Sequence, residues 1–183
     1  MKVEKTDIEG VVVITPDVYE DDRGYFFESY SKRAFDEAVT PTDFVQDNES
    51  RSVYGVIRGL HFQKGEAAQA KLVRVVRGAV WDVAVDLRCG STTFGRWVAV
   101  ELTAENRKQL FLPRGMAHGF AVLSQEAVFQ YKCDNFYMPS AEGSVAWNDE
   151  QIGIRWPIAP REVILSEKDR RAPRLCEIMD LFE

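Results

Sequence analysis

The chain has 183 residues and a formal net charge of −6, long enough for one domain with a sizeable core and of the wrong sign for a nucleic-acid surface. No apolar run approaches the ~18 residues of a membrane helix and the first residues hold no apolar leader, so a single cytoplasmic domain over 1–183 is expected, with neither membrane nor nucleic acid as partner. Cys89, Cys133 and Cys176 are widely spaced and form no Cys-x-x-Cys pair, which points neither to a disulfide framework nor to a zinc site.

Taken in order, the elements are short and mostly extended. Gly10 to Thr15 is β-branched and predicts a strand ended by Pro16. Asp21 to Gly24 predicts a turn into Tyr25 to Tyr30, where Phe26 and Glu28 share one face of a strand and Tyr25 and Phe27 the other. Ser31 to Val39 predicts a short helix capped by Ser31, with Ala34, Phe35 and Ala38 as its apolar stripe and Pro41 as its stop. Phe44 to Ser50 is a polar run after an apolar start, and β character resumes from Val53 to Leu60 around Gly55 and Gly59. The plainest strand signal runs from Lys71 to Leu87. There Gly78 marks a turn, and Trp81, Val83, Val85 and Leu87 alternate with Val80, Asp82, Ala84 and Asp86. Arg96 to Leu102, Gln109 to Leu112, Gly119 to Leu123 and Ala127 to Asp134 predict further strands. The last third is looser, and Ser166 to Arg171 is a charged run. Short strands joined by turns predict an all-β sandwich or barrel.

The two histidines are His61 and His118, with Arg58 three residues before His61 and Lys71 ten after it. A neutral imidazole, with an unperturbed pKa near ~6.5, can accept a proton while nearby cations stabilise a developing oxyanion. Two strands and a turn could bring Arg58, His61 and Lys71 to one inward face, joined by Gln63 and Asn48. Tyr131 alternates inward with Phe129 if its segment is a strand, so its phenol is either an acid or a core aromatic with the hydroxyl tied off. By spacing alone Asp169 reads as a solvated carboxylate.

Gly55 followed by five residues and His61 resembles the opening of the first cupin motif, and Pro113-x-Gly115-x-x-His118 resembles the second. Metal-binding cupins continue the first motif with a second histidine and then a glutamate; here Gln63 stands at the histidine position and no glutamate follows at that spacing, so no metal is expected. Asp21-Asp22-Arg23-Gly24-Tyr25-Phe26-Phe27-Glu28, Gln46-Asp47-Asn48-Glu49-Ser50, Arg58-Gly59-Leu60-His61-Phe62-Gln63, Trp81 to Arg88, Pro113 to Phe120, Tyr131-Lys132 and Trp147-Asn148-Asp149 follow one another over nearly the whole chain. In that order they resemble the dTDP-4-dehydrorhamnose 3,5-epimerases, a family of metal-free cupins.

The resemblance implies a cupin-type jelly-roll barrel with a few short peripheral helices, an N-terminal strand extension and a C-terminal segment of helix and loop. It also implies a cofactor-independent isomerase acting on a dTDP-sugar in dTDP-L-rhamnose formation. His61 would be the base, oriented by Asp169; Tyr131 would protonate from the opposite face of the sugar; Lys71 would stabilise the enolate oxygen formed from the C4 carbonyl. Arg23, Glu28, Gln46, Asp47, Asn48, Arg58, His118, Glu142 and Lys168 would contact the sugar or the nucleotide diphosphate, and Phe26 and Tyr137 would line the sugar and thymidine sites. Part of that site would come from the partner in a homodimer, with the N-terminal strand a candidate for addition across subunits. The alternatives are a C3-only epimerase, a sugar 3,4-ketoisomerase on the same barrel, and a non-catalytic cupin that binds a sugar nucleotide.

Overall fold

The computed structural model describes residues 1–179 and 181–182, so Glu183, the last residue of the expected domain, lies outside the described residues. Its strands are Lys2–Lys5 (β1), Val12–Thr15 (β2), Val18–Asp21 (β3), Gly24–Phe27 (β4), Gln46–Val53 (β5), Ile57–Gln63 (β6), Lys71–Arg77 (β7), Ala79–Asp86 (β8), Trp97–Thr103 (β9), Gln109–Leu112 (β10), Met116–Val122 (β11), Glu126–Cys133 (β12) and Glu142–Ser144 (β13). Two short helices accompany them, Lys32–Ala38 (α1) and Glu167–Arg170 (α2). One sheet has the order β1-β2-β10-β7-β12-β5 and the other β13-β6-β11-β8-β9, while β3 and β4 form a separate hairpin. The pairings between these strands are antiparallel. The expected all-β jelly roll is the fold.

Alternation along each strand explains why the two sheets close on one another. Val73 and Val75 of β7, Val80 and Ala84 of β8, Phe120 and Val122 of β11, and Ala127 and Phe129 of β12 meet in the barrel interior. The other face of β8 is not left to solvent. Val83 and Val85 pack with Leu60 and Phe62 beneath Val145, Ile152 and Leu175 of the C-terminal segment. Each such side chain, fully buried, contributes ~1.5–3 kcal/mol, so the segment that reads as loose is fastened by its own apolar residues. A third cluster seats Phe35 of α1 on Val12, Ile14, Leu72 and Phe111. The Ser31 cap holds, with the Ala34 N–H donating to Ser31 Oγ.

The differences from expectation have physical causes. Gln46 to Val53 is a full strand although both its faces are polar, because β12 pairs with it along its length. The stretch from Val53 to Leu60 is broken by a turn in which Gly55 has φ of 82°, and a Cβ there would lie 2.3 Å from Glu162 O. The N-terminal strand pairs with β2 of its own chain, Lys2 opposite Thr15, and forms the edge of that sheet. No helix among the described residues is long and apolar enough to cross a membrane.

Candidate active site

Toward one end the barrel interior turns from apolar to polar. Gln46 and Asn48 of β5, Lys71 of β7, and Tyr131 and Cys133 of β12 there face His61 and Gln63 of β6 and Glu142 of β13 across an open cleft of about 290 Å³. That volume lies at the lower edge of the ~300–1,000 Å³ typical of small-molecule sites. His61 thus comes from one sheet, and Lys71 and Tyr131 from the other. Arg58, also on β6, is exposed and donates from Nε to Ser52 Oγ at 3.0 Å.

The partner of His61 arrives from far along the chain. Ser166 caps α2: the Asp169 N–H donates to Ser166 Oγ at 3.1 Å, and the hydroxyl donates to Asp169 Oδ2 at 2.7 Å. Asp169 Oδ1 is left 2.6 Å from His61 Nε2. Asp169 is therefore no solvated carboxylate; it is 4% exposed. Burial pushes its pKa up, but the hydrogen bonds from His61 and Ser166 outweigh burial and hold the carboxyl below the usual range, so it is ionised at neutral pH. A carboxylate only accepts, so Nε2 carries the proton and Nδ1 is the nitrogen free to accept one. The local signal for this helix is Ser166-x-x-Asp169, a capping pair inside the charged run.

On the facing sheet the β7–β12 register sets Lys71 opposite Cys133 and Val73 opposite Tyr131. The Lys71 Nζ lies 5.9 Å from the centre of the Tyr131 ring. Burial holds the Lys71 ammonium below the ordinary lysine range, against the opposing influence of Cys133, Asp82 and Glu142. Burial also raises the Tyr131 phenol, which stays protonated at neutral pH. The Cys133 thiol is pushed up to about 11 by burial, so at neutral pH it is a thiol and no nucleophile.

His118 sits deeper in the barrel, its Nε2 3.0 Å from Oδ2 of the wholly buried Asp82 and its ring stacked on Phe129 at 5.9 Å. At the rim, Tyr137 Oη donates to Glu142 Oε2 at 3.0 Å, and Lys168 of α2 pairs with the same carboxylate. Burial pushes Glu142 up, and the bonds from Lys168 and Tyr137 bring it below the usual carboxylate range. Among the described residues no three His, Cys, Asp or Glu side chains gather as a metal-ligand set.

Of the expected binding residues, Arg58, His118 and Lys168 do not line this cleft, and neither do Asp47, Arg23, Phe26 and Glu28. Asp47 alternates with Gln46 and Asn48, so its side chain takes the outer face of β5 and pairs with Lys132 at 2.6 Å. Arg23, Phe26 and Glu28 are all exposed, Phe26 at 70%, on the β3–β4 hairpin and the residue after it. The hairpin's inner face is pinned by Arg107 over Tyr25 at 4.1 Å and Arg74 over Phe27 at 5.7 Å, leaving Phe26 and Glu28 beside a separate cavity with Tyr30 and Gln109. Sequence reasoning missed the part that Asp82 plays as the partner of His118, because the β8 alternation marks its face without naming the histidine opposite.

A jelly-roll barrel with an imidazole–carboxylate pair on one side and a phenol and an ammonium on the other belongs to the cupin-like class and is equipped for proton transfer. Residues 5–177 match the family model described as dTDP-4-dehydrorhamnose 3,5-epimerase, and the chain belongs to that family. It is 54% identical over 176 residues to the dTDP-4-dehydrorhamnose 3,5-epimerase of Salmonella typhimurium, covering 96% of each chain. The solved dTDP-6-deoxy-D-glucose-3,5-epimerase of Legionella pneumophila, in complex with dTDP-4-keto-L-rhamnose, superimposes with a TM-score of 0.96 at 45% identity, covering 100% of this chain and 97% of that one. A 3′-monoepimerase from Streptomyces bikiniensis, in complex with dTDP-quinovose, is also similar, with a TM-score of 0.87 at 36% identity over 93% of this chain and 86% of that one.

Proposed function

We propose that this chain inverts C3 and C5 of dTDP-4-dehydro-6-deoxy-D-glucose to give dTDP-4-dehydro-L-rhamnose, through an enolate and without a cofactor. The arrangement that supports this reading most is His61 with Asp169 on one side of the cleft and Tyr131 with Lys71 on the other. Both carbons are α to the C4 carbonyl, so each proton can leave if the charge that passes to the carbonyl oxygen is stabilised. His61 Nδ1 takes the proton and the Asp169 carboxylate stabilises the imidazolium. Lys71 meets the enolate oxygen, and Tyr131 returns a proton from the opposite face, inverting the centre. Solvent exchange then restores both groups. Gln46, Asn48, Arg58, His118, Tyr137, Glu142 and Lys168 serve binding in this reading.

The test is incubation with dTDP-4-dehydro-6-deoxy-D-glucose in deuterated water, following each carbon by NMR. Deuterium with inversion at both C3 and C5 is the expected result. Incorporation at C3 alone would move the chain to the monoepimerases, and none at either carbon would leave a binding cupin. Lys71 adds a pH prediction. Its ammonium is needed, and burial makes it lose its proton below the pH at which an ordinary lysine does. The alkaline limb of kcat/KM, which reports the free enzyme, is therefore expected below the ordinary lysine range of ~10.4. Lys71→Arg, whose guanidinium keeps its charge, moves that limb upward at a lower rate. An unmoved limb assigns it to another group.

The exposed hairpin supports a homodimer in which Arg23, Phe26 and Glu28 reach the partner's nucleotide site. Mixing His61→Ala chains with Arg23→Ala/Glu28→Ala chains is then expected to restore activity in about one quarter of the sites by random pairing. No recovery would confine the hairpin to its own chain. The reaction belongs in the cytoplasm in this reading, with neither membrane nor nucleic acid as partner.

A further inference from the structure

Gln63 lines the cleft two residues beyond His61, yet proton transfer gives it no task. It is 4% exposed, and both N–H groups and the oxygen of its amide are hydrogen-bonded. Nε2 donates to Ala67 O at 2.7 Å and to Phe136 O at 3.1 Å, and Oε1 accepts the Met138 N–H at 2.7 Å. The last two are backbone groups on either side of Tyr137, so one planar amide grips the segment as a neighbouring strand would. Two further glutamines reach the same segment. Gln46 Oε1 accepts the Tyr137 N–H at 3.0 Å, and Gln69 Nε2 donates to Asn135 O at 2.8 Å. Apolar packing does not hold these residues, since Phe136, Tyr137 and Met138 are 66%, 53% and 51% exposed. Asn135 Nδ2 adds a bond to Glu66 O at 2.8 Å, and of these tethering side chains Gln63 is the most buried.

We propose that Gln63 is a positioning residue that fixes Tyr137 as the platform for the nucleobase end of the substrate, and so governs affinity for the nucleotide and not the proton-transfer steps. The inference rests on the functional reading above. It follows from the amide's chemistry: a carboxylate at this position would keep the acceptor for Met138 but lose both donors and set its charge against the Ala67 and Phe136 carbonyls. The Phe136 carbonyl and the Met138 N–H lie at the rim, where water can satisfy them, so the loop is released while the barrel stays folded.

The experiment is calorimetric titration with dTDP of the wild type, Gln63→Glu, Tyr137→Ala and the double variant, beside turnover at saturating substrate. Stacking on an aromatic platform is lost when the loop is released, so Gln63→Glu is expected to weaken dTDP binding about tenfold, with saturating turnover held within about threefold. The double variant is expected to bind no more weakly than Tyr137→Ala alone, because Gln63 acts through Tyr137. If Gln63→Glu does not fold, Gln69→Ala, which frees only the Asn135 carbonyl, must give a smaller loss that also vanishes in the Tyr137→Ala background. Unchanged dTDP affinity, losses that add in the double variant, or a fall in saturating turnover with affinity intact each overturn the inference alone. A wild-type chain that does not bind dTDP overturns the functional reading and this inference with it.

Discussion

His61→Ala is expected to abolish deuterium exchange at both C3 and C5, by the ~10²–10⁴-fold that a positioned general base contributes, while dTDP still binds. Both carbons fail together because the cleft presents one imidazole whose second nitrogen is anchored to an ionised carboxylate, Asp169, at 2.6 Å. No other group there can take its place as base at neutral pH. The Cys133 thiol is raised to about 11, and Glu142 is ionised but engaged by Tyr137 and Lys168. The residual rate rests on Lys71 and on substrate positioning alone. NMR wash-in at each carbon, paired with calorimetry of dTDP binding, reads the two quantities separately. Substantial exchange at both carbons in His61→Ala with normal binding would put the base elsewhere.

How far these groups can be found without a structure depends on the range of the interactions that place them. The hairpin from Lys71 through Gly78 to Asp86 is legible because a period of two and a turn glycine are both local. Which face of β8 looks inward is not legible, because the C-terminal segment covers the outer face and both faces then carry apolar residues. Strand β5 hides for the opposite reason: Gln46 to Ser52 is polar on both faces and shows no alternation of hydropathy. Once it is known to be a strand, the same period sends Asp47 away from Gln46 and Asn48. The His61–Asp169 contact spans 108 residues, and no spacing rule reaches that far. The family resemblance pairs the two. The local trace, Ser166-x-x-Asp169, could have revealed the capped helix but not the histidine it faces. In the same way Phe26 and Glu28 share a face as the sequence implies, but only the hairpin's attachment through Arg107 and Arg74 turns that face away from its own cleft.

Tyr131→Phe is expected to separate exchange from inversion. The substitution removes one oxygen and leaves the ring that packs 6.1 Å from Phe129 and 5.9 Å from the Lys71 ammonium, so the wall of the cleft stays in place. His61 can still take a proton and Lys71 can still stabilise the enolate. What is missing is a donor on the far face; the Lys71 ammonium is engaged at the enolate oxygen, so the proton returns to carbon from the imidazolium on the face it left. That imidazolium is partly exposed, its side chain 29% accessible, and its proton exchanges with solvent. Recovered substrate is therefore expected to gain deuterium with its configuration retained, while inversion at C5 falls by the ~10²–10⁴-fold attributable to a general acid. Mass and configuration, read together by NMR at C5, make this pattern distinct from His61→Ala, where neither exchange nor inversion survives. Full C5 inversion by Tyr131→Phe would remove the phenol as the acid. Loss of exchange together with inversion would make the phenol a support for deprotonation itself, because retention requires that the base and the oxyanion clamp work without it.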